Sequence, residues 1–166
     1  MRRALLALLL LGACAREAPA PEALSFRDRG VPIASTLRGG PADLAGEWVV
    51  SAAFPGAGFA APGTRVAVEA AGGRDSVWRF AGPGGGLTFA AETPVPGRYV
   101  SRVAEEGPQL WLLWVDDDFR TAVVGTPDGS FGWVMDRPGA ASADRARAAR
   151  EVLDFNGYDV ARLAGG

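Results

Sequence analysis

The 166-residue chain contains no histidine and a single cysteine, Cys14. Without His, the side chain best suited to proton transfer near neutrality is missing, and so is the commonest metal ligand. One thiol cannot form an intrachain disulfide, so any core must hold together by packing. No acid pair stands at a spacing that selects itself for general acid–base work, and a serine without a nearby base is not a nucleophile. Gly84-Gly85-Gly86 lacks the Lys-Ser/Thr and the following helix that a phosphate loop needs. The formal charge is −2, and about −4 once Arg2 and Arg3 are removed, and nothing in the sequence suggests a phosphate-binding surface, so nucleic acid is not expected as a partner. These absences argue against an enzyme and point to no cofactor. The longest apolar run, Ala4 to Leu11, is about half of the roughly 20 residues a spanning helix needs.

That run has another use. Met1-Arg2-Arg3 is a positive start, the Leu/Ala stretch a short apolar centre, and Gly12-Ala13 a small-residue cleavage point. Leu11-Gly12-Ala13-Cys14 resembles the lipobox of bacterial lipoproteins. The resemblance implies removal of residues 1–13 and a diacylglyceryl group on Cys14. Two acyl chains suffice for stable anchoring where one is marginal. Ala15, not Asp, follows the cysteine, which under the enterobacterial sorting rule implies the outer membrane, facing the periplasm. Residues 14–30 read as a lipidated, flexible Pro/Ala/Glu tether, and 31–166 as one folded domain.

Five Trp and eight Phe can fill a core. From Leu44 onward, short segments rich in β-branched and aromatic residues alternate with Gly/Pro/Asp breaks, the pattern of an all-β domain. Strands are predicted over Trp48–Phe54, Thr64–Ala70, Ser76–Phe80, Leu87–Ala91, Arg98–Ala104, Leu110–Val115, Thr121–Gly125 and Phe131–Asp136. Eight short strands on short connections suggest an antiparallel up-and-down β-barrel, which removes sheet edges by closure, with a sandwich as the alternative. The period then changes. Ser142 is a suitable N-cap, Asp144 sits in the first turn, and Gly157 is a C-terminal stop. Ala149, Val152 and Leu153 make one apolar stripe, so this helix is expected to pack outside the sheet. Tyr158 to Leu163 alternates again and suggests a ninth strand.

Gly46-Glu47-Trp48, Asp116-Asp117-Asp118-Phe119-Arg120, Phe131 to Arg137 and Asn156-Gly157-Tyr158-Asp159-Val160 stand in the order and spacing of lipocalin motifs. The chain therefore resembles the bacterial lipoprotein lipocalins over roughly Val31 to Leu163, most closely from Leu110 onward. It departs from them after Trp48, where Val49 replaces the usual Tyr, and in a short Gly-rich middle, Pro62 to Pro96. The resemblance implies an eight-stranded lipocalin-like barrel with one C-terminal helix outside. Its expected role is to bind a small hydrophobic ligand, a fatty acid or lysophospholipid, in envelope lipid storage or transport. The alternative is a solidly packed barrel serving as an envelope scaffold or partner-binding lipoprotein. A pigment or haem carrier ranks below both, with no axial His available.

Trp48 and Arg137 are the pair the family would stack at the closed end of the barrel, a structural role. Strand alternation puts Trp48, Val50, Ala52 and Phe54 on the inner face, with Trp78, Phe80, Tyr99, Ser101, Val103 and Trp133. Val50, Phe54, Trp78, Phe80, Tyr99, Val103 and Trp133 are the ligand-contact candidates. Trp111 and Trp114 are left open as to which one faces the lumen. The Asp116–Asp118 run reads as a solvated turn: a calcium loop needs alternating oxygen ligands and a late Glu.

Overall fold

A computed structural model describes residues 24–102 and 109–166. The expected signal segment, Cys14 and Val103 lie outside the described residues.

A short helix, α1 (Pro41–Leu44), leads into β1 (Gly46–Ala53), β2 (Arg65–Gly72), β3 (Asp75–Gly82), β4 (Gly85–Val95), β5 (Arg98–Ser101), β6 (Gln109–Val115), β7 (Thr121–Gly125) and β8 (Gly132–Asp136). Each strand pairs antiparallel with its sequence neighbour, and β8 returns to β1, so eight strands close into an up-and-down barrel. The sandwich alternative is excluded by that closure. β2 covers β1 only from Gly46 to Val49. Beyond it, a two-residue strand, β9 (Ala164–Gly165), takes the vacated edge at Ala52 and Ala53. The predicted ninth strand is thus displaced: Tyr158 makes one bridge with Arg27, Val160–Arg162 is a 3₁₀ turn, and only then does the chain pair.

Helix α2 (Ala143–Phe155) lies outside the wall against β6 and β7. Ser142 holds the N-cap position in extended conformation, without a side-chain cap bond. Gly157, at φ +83°, ends the helix, and a Cβ there would stand 3.0 Å from the Asp28 carbonyl oxygen. Two apolar cores result. The inner one fills the barrel, and the outer one joins Ala149 and Leu153 of α2 to Leu113, Val123 and Val134 of the wall. The outer core also takes Phe26, 1% exposed. Residues 26 and 27, at the end of the predicted tether, are therefore docked, with the Arg27 guanidinium donating to the carbonyls of Asn156, Pro127 and Val31.

The wall is not a regular alternation. A register shift between Val50 and Ala52 on β1, and another between Leu112 and Trp114 on β6, mark β-bulges. One extra residue in a strand reverses which side every later residue faces. After the β1 bulge Ala53 points inward, while Ala52 and Phe54 point to the outer core. On β6, Trp111 faces out ahead of the bulge, Leu113 and Trp114 face out at it, and Val115 beyond it is inside. Neither tryptophan of that strand faces the lumen, and Arg98 lies 4.0 Å over the Trp111 ring.

Among the three acids of the β6–β7 turn, Asp117 and Asp118 are exposed and Asp116 is buried. The Asp116 carboxylate accepts from the backbone N–H groups of Arg120 (2.5 Å) and Thr121 (2.7 Å) and from the Arg120 guanidinium (3.0 Å). Burial acts to raise its pKa, but these donors outweigh it and hold the carboxyl below its usual value. A folded-state pKa below the unfolded one adds stability above the unfolded value, about 3.9, and loses it as pH falls through the folded value. Asp116→Ala is therefore expected to cost about 1.5–3 kcal/mol at pH 7. The gap from wild type should narrow below about pH 4. Urea titrations across that range check it.

Candidate ligand site

The barrel has two unlike ends. At one, β1 starts, β8 finishes, and the chain from Gly39 to Ala45 crosses the opening. Arg137 stacks 3.8 Å over the ring of Trp48. Its guanidinium donates to the carbonyls of Ala45 (3.0 Å), Glu47 (3.3 Å), Asp43 (3.3 Å) and Phe119 (3.2 Å). The Trp48 indole N–H donates to the Leu44 carbonyl at 2.8 Å, and the Tyr99 hydroxyl donates to Gly39 at 2.8 Å. Burial, reinforced by the Asp43 charge, pushes the Tyr99 phenol well above its ordinary value, so it stays a neutral donor. This end is shut.

Among the described residues, the other end is made by the β1–β2, β3–β4 and β7–β8 connections. The β1–β2 connection was not foreseen as more than a break. It carries a 3₁₀ turn, Gly58–Ala60, that bends over the mouth. A Cβ on Gly84 would lie 1.9 Å from the Gly58 carbonyl oxygen, so only glycine in the β3–β4 turn permits this approach. Phe59 then drops its ring among Phe80 (4.9 Å), Phe131 (5.7 Å) and Trp133 (6.1 Å), edge-on to all three. No motif signals this residue. What could have drawn attention to it is one aromatic flanked by Gly and Ala in an otherwise small-residue loop.

Of the predicted contact residues, Val50, Trp78, Phe80, Tyr99 and Trp133 are buried together in the inner core. Trp78 stacks on Phe80 (6.2 Å) and Phe89 (6.4 Å) and meets Tyr99 edge-on at 5.1 Å; Phe80 meets Trp133 at 5.6 Å. Phe54 is a correction. The β1 bulge sends it to the outer core, stacked between Phe26 and Tyr158. Phe59, Phe89 and Phe131 are aromatic lining residues that alternation did not single out. The interior is thus an aromatic stack, with half-buried Phe59, Leu87 and Phe131 around its mouth. Two clefts of about 280 and 460 Å³ lie outside the wall, one beside α2 at Ala52 and Val134, the other beside Trp114 and Asp116. The three buried charged side chains among the described residues, Arg27, Asp116 and Asp136, make their contacts on the outer side of the wall. Among the described residues no group of three or more metal-ligating side chains forms.

A closed eight-stranded antiparallel barrel with one helix outside, one end shut by a Trp–Arg stack and the other rimmed with apolar side chains, is a lipocalin-type barrel. The lipocalin-like domain family matches residues 98–165. Temperature-induced lipocalin-1 of Arabidopsis thaliana is 28% identical over 53 residues, 32% of this chain and 28% of that protein, so the match spans little more than a quarter of that relative. Among solved structures, the bovine lipocalin allergen Bos d 2 superposes with a TM-score of 0.57 at 15% identity, covering 75% of this chain and 93% of that one. The siderocalin Ex-FABP, described as functioning through dual ligand specificities, gives 0.54 at 16%, covering 74% and 89%. Insecticyanin of the tobacco hornworm Manduca sexta gives 0.52 at 13%, covering 82% and 86%. These likenesses establish the fold, and with the domain match they support the lipocalin family.

Proposed function

We propose that this chain is a lipid-anchored binding protein of the outer membrane, facing the periplasm, that takes a single-chain fatty acyl compound, a fatty acid or lysophospholipid, into its barrel. The observation that carries the reading is the asymmetry of the barrel: one end is sealed by Arg137 over Trp48, and the other presents Phe59, Leu87 and Phe131 above a buried aromatic interior. An apolar mouth above an apolar interior is what such a ligand requires. The anchor supports it from the sequence side, because lipid on Cys14 would hold the mouth near the membrane that supplies acyl chains. Titration of the purified protein with palmitate and lysophosphatidylcholine should give saturable changes in Trp fluorescence, since Trp78 and Trp133 lie in the interior. Phe59→Ala should bind at least as tightly as wild type, because the ring that fills the mouth is gone. Labelling of the cells with radioactive palmitate should mark the protein, and Cys14→Ser should abolish the label.

The interior also favours a second reading. Rings from β3, β4, β5 and β8 already touch one another across the barrel, and Phe59 occupies the mouth. A barrel filled by its own side chains would serve as an envelope scaffold or bind a protein partner on its surface. Absence of saturable binding in both wild type and Phe59→Ala would select this reading over the first.

A further inference from the structure

Within the acyl-binding reading just given, and resting on it, we infer that the barrel prefers a ligand whose interior polar group is a neutral carbonyl, as in an acyl ester, held by the indole N–H of Trp133, and that a free acid binds more weakly, with its carboxylate kept away from that position.

The inner core is nearly complete in its hydrogen bonding. The indole of Trp48 donates to Leu44, the indole of Trp78 donates to the Ser76 hydroxyl at 3.2 Å, and the Tyr99 hydroxyl donates to Gly39. Trp133 is the one inner-core indole left without a partner, alongside the buried Thr64 and Thr93 hydroxyls, which lie elsewhere and can act as donor or acceptor. Its side chain is 0% exposed, and Nε1 has no acceptor among the described residues. The rings around it, Phe59, Phe80 and Phe131, offer no conventional acceptor. A buried donor left without a partner is costly, and native cores rarely keep one. An indole N–H can donate but cannot accept, so the complementary group is an acceptor oxygen.

Charge decides what kind of oxygen. The chain has no lysine, and the Arg137 and Arg27 guanidinium groups are spent elsewhere, on the shut end and outside the wall. A carboxylate beside Trp133 would be buried against aromatic rings with one neutral donor and no cation, a strongly unfavourable state. A carbonyl loses far less on desolvation and is satisfied by one N–H. Phe59 completes the picture. Its half-buried ring fills the space beside Trp133 from a loop at the mouth, the place an incoming acyl chain would take. An entering chain would replace one apolar group by another and bring the acceptor that the phenyl ring lacks.

The test uses methyl decanoate and decanoate at pH 8 with wild type and Trp133→Phe. Methyl decanoate should bind wild type at least tenfold more tightly than decanoate. Trp133→Phe should weaken the ester about fivefold to tenfold and leave decanoate unchanged, the range expected for one hydrogen bond. Two readouts do not depend on the variant's stability. In wild type the Trp133 Nε1–H resonance should move downfield on addition of the ester, and the ester carbonyl stretch should shift to lower wavenumber. Decanoate binding as tightly as the ester, or an ester that leaves the Trp133 resonance in place, would overturn the inference while leaving the acyl-binding function standing. If neither probe binds, the function proposed above fails as well.

Discussion

Trp48→Ala is expected to destabilise the protein by about 3–5 kcal/mol, the range for emptying a fully buried aromatic site. Trp48 is 0% exposed and carries three loads at the shut end of the barrel. It fills the inner core between β1 and its neighbours, its N–H satisfies the Leu44 carbonyl, and its ring is the floor on which Arg137 lies. Removing the indole leaves the guanidinium over a void while four carbonyls still hold it there. Trp48→Phe keeps a ring beneath the guanidinium and loses only the N–H bond and some volume, so its cost should be clearly smaller. A double-mutant cycle with Arg137→Ala should return a coupling of about 0.5–2 kcal/mol, the range of a partly desolvated cation–π contact. Guanidinium unfolding curves of the four proteins are the measurement. Independent, additive costs would show that Arg137 caps the barrel through its carbonyls alone.

Phe54→Ala is expected to cost a similar amount, about 3–5 kcal/mol, and to leave ligand affinity unchanged. Phe54 is 1% exposed, with its ring 5.4 Å from Phe26 and 5.1 Å from Tyr158, in near-parallel stacks. That stack holds the docked N-terminal segment and the chain after α2 against the wall. The Tyr158 hydroxyl extends the same support, accepting from the Thr126 N–H at 2.8 Å. Phe80→Ala makes the contrast. It removes a ring from the inner stack, so it should change both stability and ligand affinity. Paired urea titrations and ligand titrations of the two variants separate outer core from inner. A loss of affinity in Phe54→Ala at full folding would return Phe54 to the lumen.

The Phe54 result shows where reading by alternation stops. β7 was legible to the residue, and β8 to within one, because their runs are apolar, β-branched and closed by Gly or Pro. β4 extends from Gly85 to Val95, well past the predicted Leu87–Ala91. Its glycines and Thr93-Pro94 have poor strand character, but β3 offers a partner for every residue from Gly85 to Glu92, and pairing overrides propensity. Val50, Trp78, Phe80, Tyr99 and Trp133 were placed inside correctly because no bulge separates them from a reliable reference in their own strands. Phe54 lies beyond the β1 bulge and changes from the expected inner face to the outer core, and Val115, beyond the β6 bulge, faces the lumen.

The all-β domain, eight strands, the late amphipathic helix and the Trp48–Arg137 pair were all readable from the chain. Each rests on local signals: turn chemistry, a period of two or of 3.6, or a short motif. Only the tertiary structure decided which residues face the lumen after the bulges, that residues 26 and 27 are docked, and that Phe59 fills the mouth beside an indole N–H with no acceptor among the described residues. These depend on the curvature that closes the barrel and on partners far away in sequence. A local pattern carries neither, because the residue that flips a strand and the loop that fills a pocket are set by what lies across the sheet.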